Sequence, residues 1–386
     1  MIKADMDKID ELLTRGVANI IPGRAELEKV LRSDKKLNIY CGFDVTAPHL
    51  HIGNTVPMRK LQQFVELGHN VTFLIGDFTT LIGDTSDKET ERPIIPEDQI
   101  EVNWQNFAKQ AGKILDLSKV SVHRNSEWLD KLSPRELIRI IRRFSLNDFI
   151  SRELIKKRLT SGGSINLSEV IYPVLQGYDS YFMDTDLQIG ATDQTFNMQA
   201  GRTLLKQLRN KDSFVMSFGF LTGTDGRKMS KSWGNAIWLD DSPNDMYGKV
   251  MSIKDELISE YFLLATNLSK IPSGANPMEL KKQLAYQIVS ELHGKDAANH
   301  AQSYFESTFQ QKHAPQDIST MSVASKNIID VLVETHLASS KSEAKRLIDQ
   351  KGIRVNGEIV TSMNYELSTN NSIISVGSRK FVRINF

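Results

Sequence analysis

The hydrophobic positions in the first hundred residues form two short apolar runs with a helix-period stretch between them. Residues 37–43 and 71–75 are apolar and rich in strand-forming residues, so each predicts a buried strand. From Ile52 to Leu67 the apolar residues recur at helical spacing, with Pro57 in the first turn and Gly68 just after the last. Strand, crossover helix and strand make a βαβ unit. We therefore predict a parallel sheet with nucleotide chemistry at its carboxyl edge.

The rest of the pattern is mostly helical until the end of the chain. Residues 9–33 predict one or two helices around a break at 21–23, residues 99–160 are mostly helical, and residues 212–220 predict another strand. A Gly-rich loop, a helical stretch over 243–308 and a Pro- and Ser-containing linker at 310–326 follow. The C-terminal residues predict two short helices and then short strands, with a hairpin turn at Asn356-Gly357.

These elements predict an α/β protein with three domains. The first, 1–225, is a Rossmann-type parallel-sheet domain with a helical insertion. The second, 226–320, begins with the Gly-rich loop and continues as a helical domain, and the third, 326–386, is a small α+β domain. A length of 386 residues agrees with more than one hydrophobic core.

The composition, 40% hydrophobic and 25% charged residues, is typical of a soluble globular protein. No apolar run approaches the roughly 20 residues that a membrane helix needs, and the N-terminal residues lack the apolar centre of a signal peptide. Cys41 is the only cysteine, which excludes an intrachain disulfide and a cysteine-based zinc site. We therefore expect a cytoplasmic protein with no membrane partner. Because the net charge is only +1, a nucleic acid would have to be bound through local basic patches.

Two loops carry residues suited to a triphosphate. The first, His51-Ile52-Gly53-Asn54, lies between the first strand and its helix, and the second, Lys228-Met229-Ser230-Lys231-Ser232, follows a later strand. A histidine at a helix N-terminus can contact a phosphate, and the glycine leaves room for an adenine ring. Two nearby lysines on a flexible loop can neutralise charge at an attacked α-phosphorus. Each loop alone is more often a helix cap or a solvated surface, so the argument depends on their joint occurrence behind strands.

Together the loops resemble the HIGH and KMSKS signatures of the class I aminoacyl-tRNA synthetases. The second match is unbroken, whereas Asn54 replaces the last histidine of the first signature; its amide still offers a donor to a ribose oxygen but carries no charge. The flanking sequence resembles the bacterial-type tyrosyl-tRNA synthetases in particular, in the segments YCGFD at 40–44, TAP at 46–48, LIGD at 81–84, YPVLQGYD at 172–179 and LQIGATDQ at 187–194.

The resemblance implies an amino-acid site. Tyr40 and Asp179 would hold the phenolic hydroxyl of tyrosine. A site built to pair a hydroxyl rejects phenylalanine, because its buried polar groups would then lack partners. Read alone, Asp179 is also compatible with a helix-face acid, and Tyr172 and Tyr178 with core aromatics. Around the α-ammonium, backbone and carboxylate of tyrosine, the resemblance implies Asp84, Tyr172, Gln176, Thr79 and Gln194.

The resemblance also implies an ATP site and catalytic groups. Thr46 and His51 would contact the γ-phosphate, and Lys88 and Arg92 would close over pyrophosphate; Asp87 departs from the glycine common in that loop. Lys228 and Lys231 would stabilise the α-phosphorus under attack. The residues implied to bind ATP are Asp44, Gly53, Asn54, Gly190, Asp193, Lys228, Met229, Ser230, Lys231 and Ser232.

The implied reaction uses positioning and charge in place of acid–base catalysis. The tyrosine carboxylate attacks the α-phosphorus of ATP to give tyrosyl-adenylate and pyrophosphate, and the terminal ribose hydroxyl of tRNA then takes the tyrosyl group. The sequence shows no carboxylate cage for a metal. We therefore expect Mg²⁺ to arrive with ATP and no protein-bound metal.

Residues 326–386 resemble the S4-type RNA-binding domain that ends the bacterial tyrosyl enzymes. Lys341 and Lys345 are one helical turn apart and can share a phosphate-facing side. Glu343 interrupts the basic run, so a solvated helix face is the alternative. The residues implied to contact tRNA are Lys341, Lys345, Arg346 and Arg354.

Two alternatives remain open from the sequence. One is another class I synthetase or an adenylate-forming relative; Tyr40 with Asp179 argues against it, and the tryptophanyl enzymes, which are the nearest rivals, need no pair of polar groups for a phenol. The other is a non-enzymatic RNA-binding protein that retains the fold, whose hallmark would be loss of the phosphate-binding residues. His51, Lys228 and Lys231 are all present, which argues against it. A homodimer is implied by the resemblance, with residues 130–165 as the predicted interface.

Overall fold

The computed structural model describes residues 6–84, 95–230, 233–268, 272, 274, 276–310, 318, 320–377 and 380–386, without the side chains of 309 and 310. The chain divides into two compact units, residues 1–295 and residues 296–386. Each unit has a β-sheet of its own.

The first unit is built on a six-stranded sheet in the order β1-β6-β5-β2-β3-β4. All neighbouring strands in it are parallel except β1, which is antiparallel to β6. Its strands are β1 (Val17–Ile21), β2 (Asn38–Phe43), β3 (Asn70–Ile75), β4 (Ser121–Arg124), β5 (Leu187–Ala191) and β6 (Phe214–Phe218).

The strand order reverses between β2 and β5. From β2 the chain continues outward to β3 and β4, whereas β5 is followed by β6 on the opposite side. In such doubly wound sheets a crevice opens at the carboxyl ends of the strands at the point of reversal, and ligands bind there. The predicted parallel sheet is therefore confirmed.

Helices surround this sheet and extend beyond it. The 3-10 turn Ile52–Asn54 leads into the crossover helix Thr55–Glu66, and Gly68 follows that helix with φ +84°, as the sequence predicted. In the described part of the chain no helix is both long and apolar enough to span a bilayer. The helices of this unit are α1 (Met6–Thr14), α2 (Arg24–Leu31), α3 (Thr55–Glu66), α4 (Asp77–Ile82), α5 (Glu97–Ala111), α6 (Ser126–Leu129), α7 (Pro134–Ile141), α8 (Leu146–Ile150), α9 (Glu153–Thr160), α10 (Leu167–Phe182), α11 (Thr195–Arg209), α12 (Pro243–Met251), α13 (Ile258–Ala265) and α14 (Pro277–His293).

Two strands lie in stretches that were predicted to be helical or mostly helical. The stretch 9–33 contains β1 between α1 and α2, and the stretch 99–160 contains β4 between α5 and α6. Both are edge strands whose residues are mostly exposed or half-buried, so neither shows a continuous apolar run. Their pairing with β6 and β3 is a tertiary effect that overrides a weak local signal.

The second unit is a small α+β domain. Its five-stranded sheet has the order β7-β11-β10-β8-β9, with β7 parallel to β11 and the other pairs antiparallel. A core of buried aliphatic side chains includes Ile328, Leu332, Ile348, Ile374 and Ile384. Its elements are α15 (Lys295–Phe305), β7 (Thr320–Ser322), α16 (Ile328–Glu334), α17 (Lys341–Asp349), β8 (Ile353–Val355), β9 (Glu358–Ile359), β10 (Ser372–Val376) and β11 (Lys380–Asn385).

The predicted hairpin in this unit is confirmed. Asn356 and Gly357 connect β8 to β9 with φ +50° and +89°, the left-handed conformation that a two-residue hairpin turn requires. The stretch 310–326, predicted as a linker, contains a strand that the sequence analysis did not predict. Residues 320–322 form β7, which pairs with β11, a partner more than fifty residues later that no local pattern reveals.

Candidate active site

A cavity of about 850 Å³ opens at the carboxyl edge of the sheet, where β2 and β5 diverge. Both signature loops contribute to its wall, because each follows a strand that ends at this edge. The cavity brings together every predicted tyrosine- and ATP-site residue that the structure describes: Tyr40, Asp44, Thr46, His51, Gly53, Asn54, Thr79, Asp84, Tyr172, Gln176, Asp179, Gly190, Asp193, Gln194, Lys228, Met229 and Ser230.

Two buried polar side chains form the deep end of this cavity. The Tyr40 hydroxyl lies 2.7 Å from Ser180 Oγ and donates to Gln188 Oε1 at 3.0 Å. The Asp179 carboxylate accepts from Trp128 Nε1 at 2.7 Å and from Asn125 Nδ2 at 3.3 Å. These contacts hold a hydroxyl and a carboxyl group in fixed orientations in an otherwise apolar surrounding.

Burial changes the protonation behaviour of both groups. It raises the pKa of Asp179 to about 8, although the hydrogen bonds from Trp128 and Asn125 oppose the shift. Burial, and secondarily the nearby Asp179 carboxylate, raises the pKa of Tyr40 well above its usual value. The Tyr40 side chain is therefore a neutral hydroxyl at physiological pH, able both to donate and to accept a hydrogen bond.

We expect Asp179→Asn to change how the stability of the protein depends on pH. The carboxyl pKa is raised from 3.8 in the unfolded chain to about 8 in the folded one, so between these values the unfolding free energy falls as pH rises. The amide does not titrate and lacks this fall. Thermal midpoints of both proteins at about pH 5 and about pH 8.5 test it. The difference in midpoint, variant minus wild type, should be more positive at the higher pH than at the lower one. A pH-independent difference would contradict the raised pKa.

Nearer the mouth, a second polar group surrounds the ends of β2 and α4. The Asp44 carboxylate accepts from Thr79 Oγ1 at 2.8 Å and from the Tyr172 hydroxyl at 2.9 Å. Gln194 Nε2 donates to Asp84, which is buried. The two carboxylates supply negative charge at this end of the cavity, which favours a cationic ligand group.

The first signature loop forms the 3-10 turn ahead of α3. The His51 N–H donates to Asn54 Oδ1 at 3.0 Å, and the Asn54 N–H donates back to the His51 carbonyl at 2.8 Å. The departure from the family pattern at Asn54 therefore has a local structural role: its side-chain oxygen caps the turn that positions His51.

The two signature loops are also joined through the backbone. The Ile52 N–H donates to the Ile237 carbonyl at 2.9 Å, the Leu239 N–H donates to the Leu50 carbonyl at 2.9 Å, and His51 and Trp238 form an isolated β-bridge. The segment after the lysine loop is thus tied to the segment that carries His51. No sequence pattern indicated this link.

Lys228 extends from the second loop into the cavity. Its Nζ lies 3.1 Å from Asp193 Oδ2 and 4.0 Å from the centre of the Phe220 ring. The carboxylate and the aromatic face together hold a cation next to the β5 carboxyl end. Asp193 belongs to the 3-10 turn Thr192–Gln194, directly after β5.

Four predicted site residues lie outside the described part of the structure: Lys88, Arg92, Lys231 and Ser232. The four cations predicted to bind tRNA all belong to the second unit, where each is exposed: Lys341, Lys345 and Arg346 on α17, and Arg354 on β8. Lys341 pairs with Asp330 at 2.7 Å.

Sequence reasoning missed the residues that orient the predicted ones. Gln188, Asn125 and Trp128 are buried and contact Tyr40 or Asp179 directly. Gln188 has a detectable signal, since it is a polar residue within the apolar strand β5. Asn125 and Trp128 lie in a short polar segment around α6, and their spacing carries no signal.

Comparison with known proteins gives two adjacent matches. The family described as tRNA synthetases class I (W and Y) matches residues 32–310, and the Tyrosine--tRNA ligase SYY-like C-terminal domain matches residues 309–381. A protein named Tyrosine--tRNA ligase from Thermotoga maritima is 37% identical over 97% of this chain and 96% of its own length. One of the same name from Aquifex aeolicus is 38% identical over 97% of both chains.

Solved structures share the fold. A C-terminally truncated mitochondrial tyrosyl-tRNA synthetase from Aspergillus nidulans aligns with a TM-score of 0.64 at 24% identity, covering 78% of this chain and 94% of that one. A tyrosyl-tRNA synthetase from Archaeoglobus fulgidus, complexed with L-tyrosine, aligns with a TM-score of 0.59 at 21% identity, covering 77% and 99%. At these identities the likeness concerns the fold alone.

Proposed function

The chain belongs to the tyrosine–tRNA ligase family of class I tRNA synthetases, and we propose that the cavity of the first unit binds L-tyrosine and ATP together. The observation that carries the proposal is the buried pair Tyr40 and Asp179 at the deep end of a cavity whose mouth is lined by both signature loops. The enzyme forms tyrosyl-adenylate and then transfers the tyrosyl group to the 3′ end of tRNA(Tyr). The relatives named Tyrosine--tRNA ligase align with this chain over nearly their whole length, which leaves the non-enzymatic alternative unsupported.

In this proposal the deep end selects tyrosine. The phenolic hydroxyl donates to the ionised Asp179 carboxylate, and this hydrogen bond favours ionisation against the burial that raises the pKa of Asp179. The phenolic oxygen accepts from Tyr40, whose single proton turns from Gln188 to the substrate. A phenylalanine ring would fit the same space but could make neither of these hydrogen bonds, and comparable sites that pair a substrate hydroxyl discriminate by about 10⁴–10⁵. The indole of tryptophan has no hydroxyl to offer to this pair.

The negative end of the cavity receives the α-ammonium group. Asp84 supplies the balancing charge, while Tyr172 and Gln176 supply neutral oxygen atoms within the same cavity wall. Thr79 and Gln194, which contact the two carboxylates, lie where the backbone and carboxylate of tyrosine would pass. This arrangement directs the tyrosine carboxylate toward the two signature loops.

ATP then occupies the mouth. At the end of β5, Asp193 accepts a hydrogen bond from a ribose hydroxyl and Gly190 leaves room for the ribose. Adenine packs on Gly53. The amide of Asn54, whose oxygen caps the turn, keeps its N–H₂ group for a ribose oxygen. In this proposal Asp44 helps to position the reacting groups, and Met229 and Ser230 line the nucleotide beside Lys228.

The chemistry is an in-line displacement at phosphorus. A tyrosine carboxylate oxygen forms a bond to the α-phosphorus as the bond to the bridging oxygen of pyrophosphate breaks. Thr46 and His51 contact the γ-phosphate of the departing pyrophosphate, and Lys228 stabilises charge at the α-phosphorus; Lys231, Lys88 and Arg92 are proposed to assist. No proton has to be moved by the protein.

Magnesium fits this site as an ion carried by ATP. Among the described residues there is no group of three His, Cys, Asp or Glu side chains arranged to hold a metal. Asp44 and Asp84 are engaged by neutral protein donors, which fits recognition of the substrate better than an all-protein metal cage. The ion would neutralise the triphosphate.

We propose further that residues 326–386 form an S4-like domain that binds tRNA. Lys341, Lys345, Arg346 and Arg354 are exposed cations suited to phosphate contacts. The proposed catalytic part covers residues 1–225, with the lysine loop and a helical domain at 226–320. Homodimerisation through residues 130–165 agrees with apolar side chains exposed there, namely Ile138, Leu146 and Leu159. A cytoplasmic location is part of the same proposal.

The direct test is tyrosine-dependent exchange of labelled pyrophosphate into ATP. The proposal expects exchange with tyrosine and none with tryptophan, and phenylalanine should be used at least about 10⁴-fold less efficiently. Charging of tRNA(Tyr) should follow when tRNA is added. Exchange driven equally by tryptophan would contradict the assignment of the deep end.

We expect His51→Ala and Lys228→Ala each to slow adenylate formation by about 100-fold, because both contact charge that develops in the transition state. Tyrosine affinity should change by less than about twofold. Rapid-quench measurement of adenylate formation and equilibrium binding of tyrosine give the two quantities. His49→Ala is the matched control, since His49 is exposed and its ring contacts Asp240 outside the cavity wall. Equal losses in rate and in ground-state ATP binding would indicate simple nucleotide binding instead.

A further inference from the structure

Lys228 is paired across the loop with Thr222 in an isolated antiparallel β-bridge. We propose that Glu260 and Tyr261, both on α13, are positioning residues that fix the position of Lys228 through their hydrogen bonds to Thr222. The inference rests on the proposed role of Lys228 at the α-phosphorus. Neither residue lines the cavity.

Thr222 is bound to α13 by three hydrogen bonds. Its backbone N–H donates to Glu260 Oε1 at 2.6 Å, and its hydroxyl donates to Glu260 Oε2 at 3.1 Å. Its carbonyl accepts from the Tyr261 hydroxyl at 2.7 Å. The Glu260 carboxylate and the Tyr261 hydroxyl therefore bind the backbone N–H, the carbonyl and the side chain of Thr222. These three hydrogen bonds fix the position of Thr222.

Two backbone hydrogen bonds connect residues 221–223, around Thr222, to residues 227–229, around Lys228. The Gly223 N–H donates to the Arg227 carbonyl at 2.7 Å, and the Met229 N–H donates to the Leu221 carbonyl at 3.2 Å. These bonds flank Thr222 and Lys228 on either side. A displacement of residues 221–223 would therefore also displace residues 227–229.

Helix α13, which carries Glu260 and Tyr261, is itself held in place. Tyr261 is fully buried, and burial raises the pKa of its hydroxyl, so it remains a neutral donor. Arg15, just after α1, binds the end of α13 by donating to the carbonyl oxygens of Phe262, Leu263, Thr266 and Leu268. A guanidinium that satisfies several terminal carbonyls stabilises a helix end and limits its movement.

The same helix also contacts the other signature segment. α13 packs against α3 and against the 3-10 turn Ile52–Asn54 that follows His51. It therefore serves as a common support for His51 and Lys228, which approach the triphosphate from different loops. Rate enhancement through positioned charge is sensitive to displacements of about 1 Å, which can cost about 100-fold.

The test uses the full-length protein and a double-mutant cycle between Glu260 and Lys228. Glu260→Ala should slow adenylate formation by about 10- to 100-fold with tyrosine affinity within about twofold of wild type. In a Lys228→Ala background the same change should alter the rate by less than about twofold, because nothing remains to be positioned. Glu260→Gln keeps one acceptor for the Thr222 N–H and should give an intermediate rate.

Two further variants distinguish positioning from general destabilisation. Tyr261→Phe removes only the hydroxyl and should slow the same step in the same background-dependent way. Glu256→Ala is the matched control: Glu256 is an exposed acid on the 3-10 turn just before α13 and should leave the rate unchanged. Thermal midpoints confirm folding, and Glu260→Gln and Tyr261→Phe keep the test informative if Glu260→Ala unfolds.

The outcomes separate this inference from the role on which it rests. If Lys228→Ala leaves the rate unchanged, the proposed role of Lys228 is wrong. If Lys228→Ala is slow while the Glu260 and Tyr261 variants retain the wild-type rate, the positioning inference alone is overturned. Losses from Glu260→Ala that are equally large with and without Lys228 would show a purely structural role and would overturn it as well.

Discussion

Asp179→Asn is expected to lower kcat/KM for tyrosine by about 100-fold while the protein remains folded, because a hydrogen bond to a buried carboxylate typically contributes about 1.5–3 kcal/mol. The two carboxylate oxygens accept from Trp128 and Asn125 and still have lone pairs for a phenolic hydroxyl. An amide has a single oxygen, which Trp128 Nε1 would occupy. Its N–H₂ group would then face the Asn125 donor and could not accept the proton of the phenol.

The same change should reduce selectivity as well as efficiency. Phenylalanine makes no hydrogen bond with Asp179, so its already low rate should change little, and the tyrosine-to-phenylalanine ratio should fall by nearly the same factor. Pyrophosphate exchange with both amino acids measures the ratio. Asp98→Asn, an exposed acid on α5, is the matched control. Unchanged tyrosine kinetics with phenylalanine still excluded would refute the assignment of Asp179.

Trp128→Phe extends the argument to the residue that orients this carboxylate. The change removes the Nε1–H donor and keeps an aromatic ring against Phe182, whose centroid lies 4.7 Å away. We expect a smaller loss of tyrosine efficiency, of about 10-fold, because the carboxylate remains present but less well oriented. Such a graded effect follows from geometry that the sequence did not reveal.

The fold was predictable where one local pattern determined one element. The β2–α3–β3 unit combines two buried strands with an amphipathic helix, and the rule for parallel sheets then places the loops after β2, β5 and β6 at one edge. This is why His51 and Lys228 could be assigned to a common site from the sequence pattern, whereas Asp193 was assigned to it by the family resemblance. The edge strands β1 and β4 could not be predicted, since their pairing depends on distant partners.

The cavity was predictable for residues that would touch the substrates and not for those that hold them in place. Trp128 reaches Asp179 from 51 positions away, and Glu260 reaches Thr222 from 38 positions away. Neither pair shares an element or a spacing. Likewise, Asn54 was expected as a donor to ribose, and only the structure reveals its side-chain oxygen as the cap of the turn at His51.

A chain ending at residue 310 is expected to retain tyrosine-dependent pyrophosphate exchange and to lose charging of tRNA by at least about 100-fold, because most tRNA affinity should come from phosphate contacts. All described residues assigned to tyrosine and ATP lie between positions 40 and 230, within the first compact unit. The second unit has its own hydrophobic core, and the two family matches meet at residues 309–310. Exchange and charging rates of the full and shortened proteins, both checked for folding, give the comparison.

A charge variant of the full-length chain makes the argument independent of truncation. Replacing Lys341, Lys345 and Arg346 with Ala should weaken tRNA binding and reduce the slope of log affinity against log salt, by about 0.7–0.9 for each phosphate that the protein no longer neutralises. The control removes the same charge from exposed lysines of the first unit, at Lys29, Lys36 and Lys119. If the shortened chain charges tRNA normally, the second unit does not hold the tRNA. If the shortened chain loses exchange as well, the catalytic part extends beyond residue 310. A salt slope that falls equally in the control would indicate a general electrostatic effect with no defined binding face.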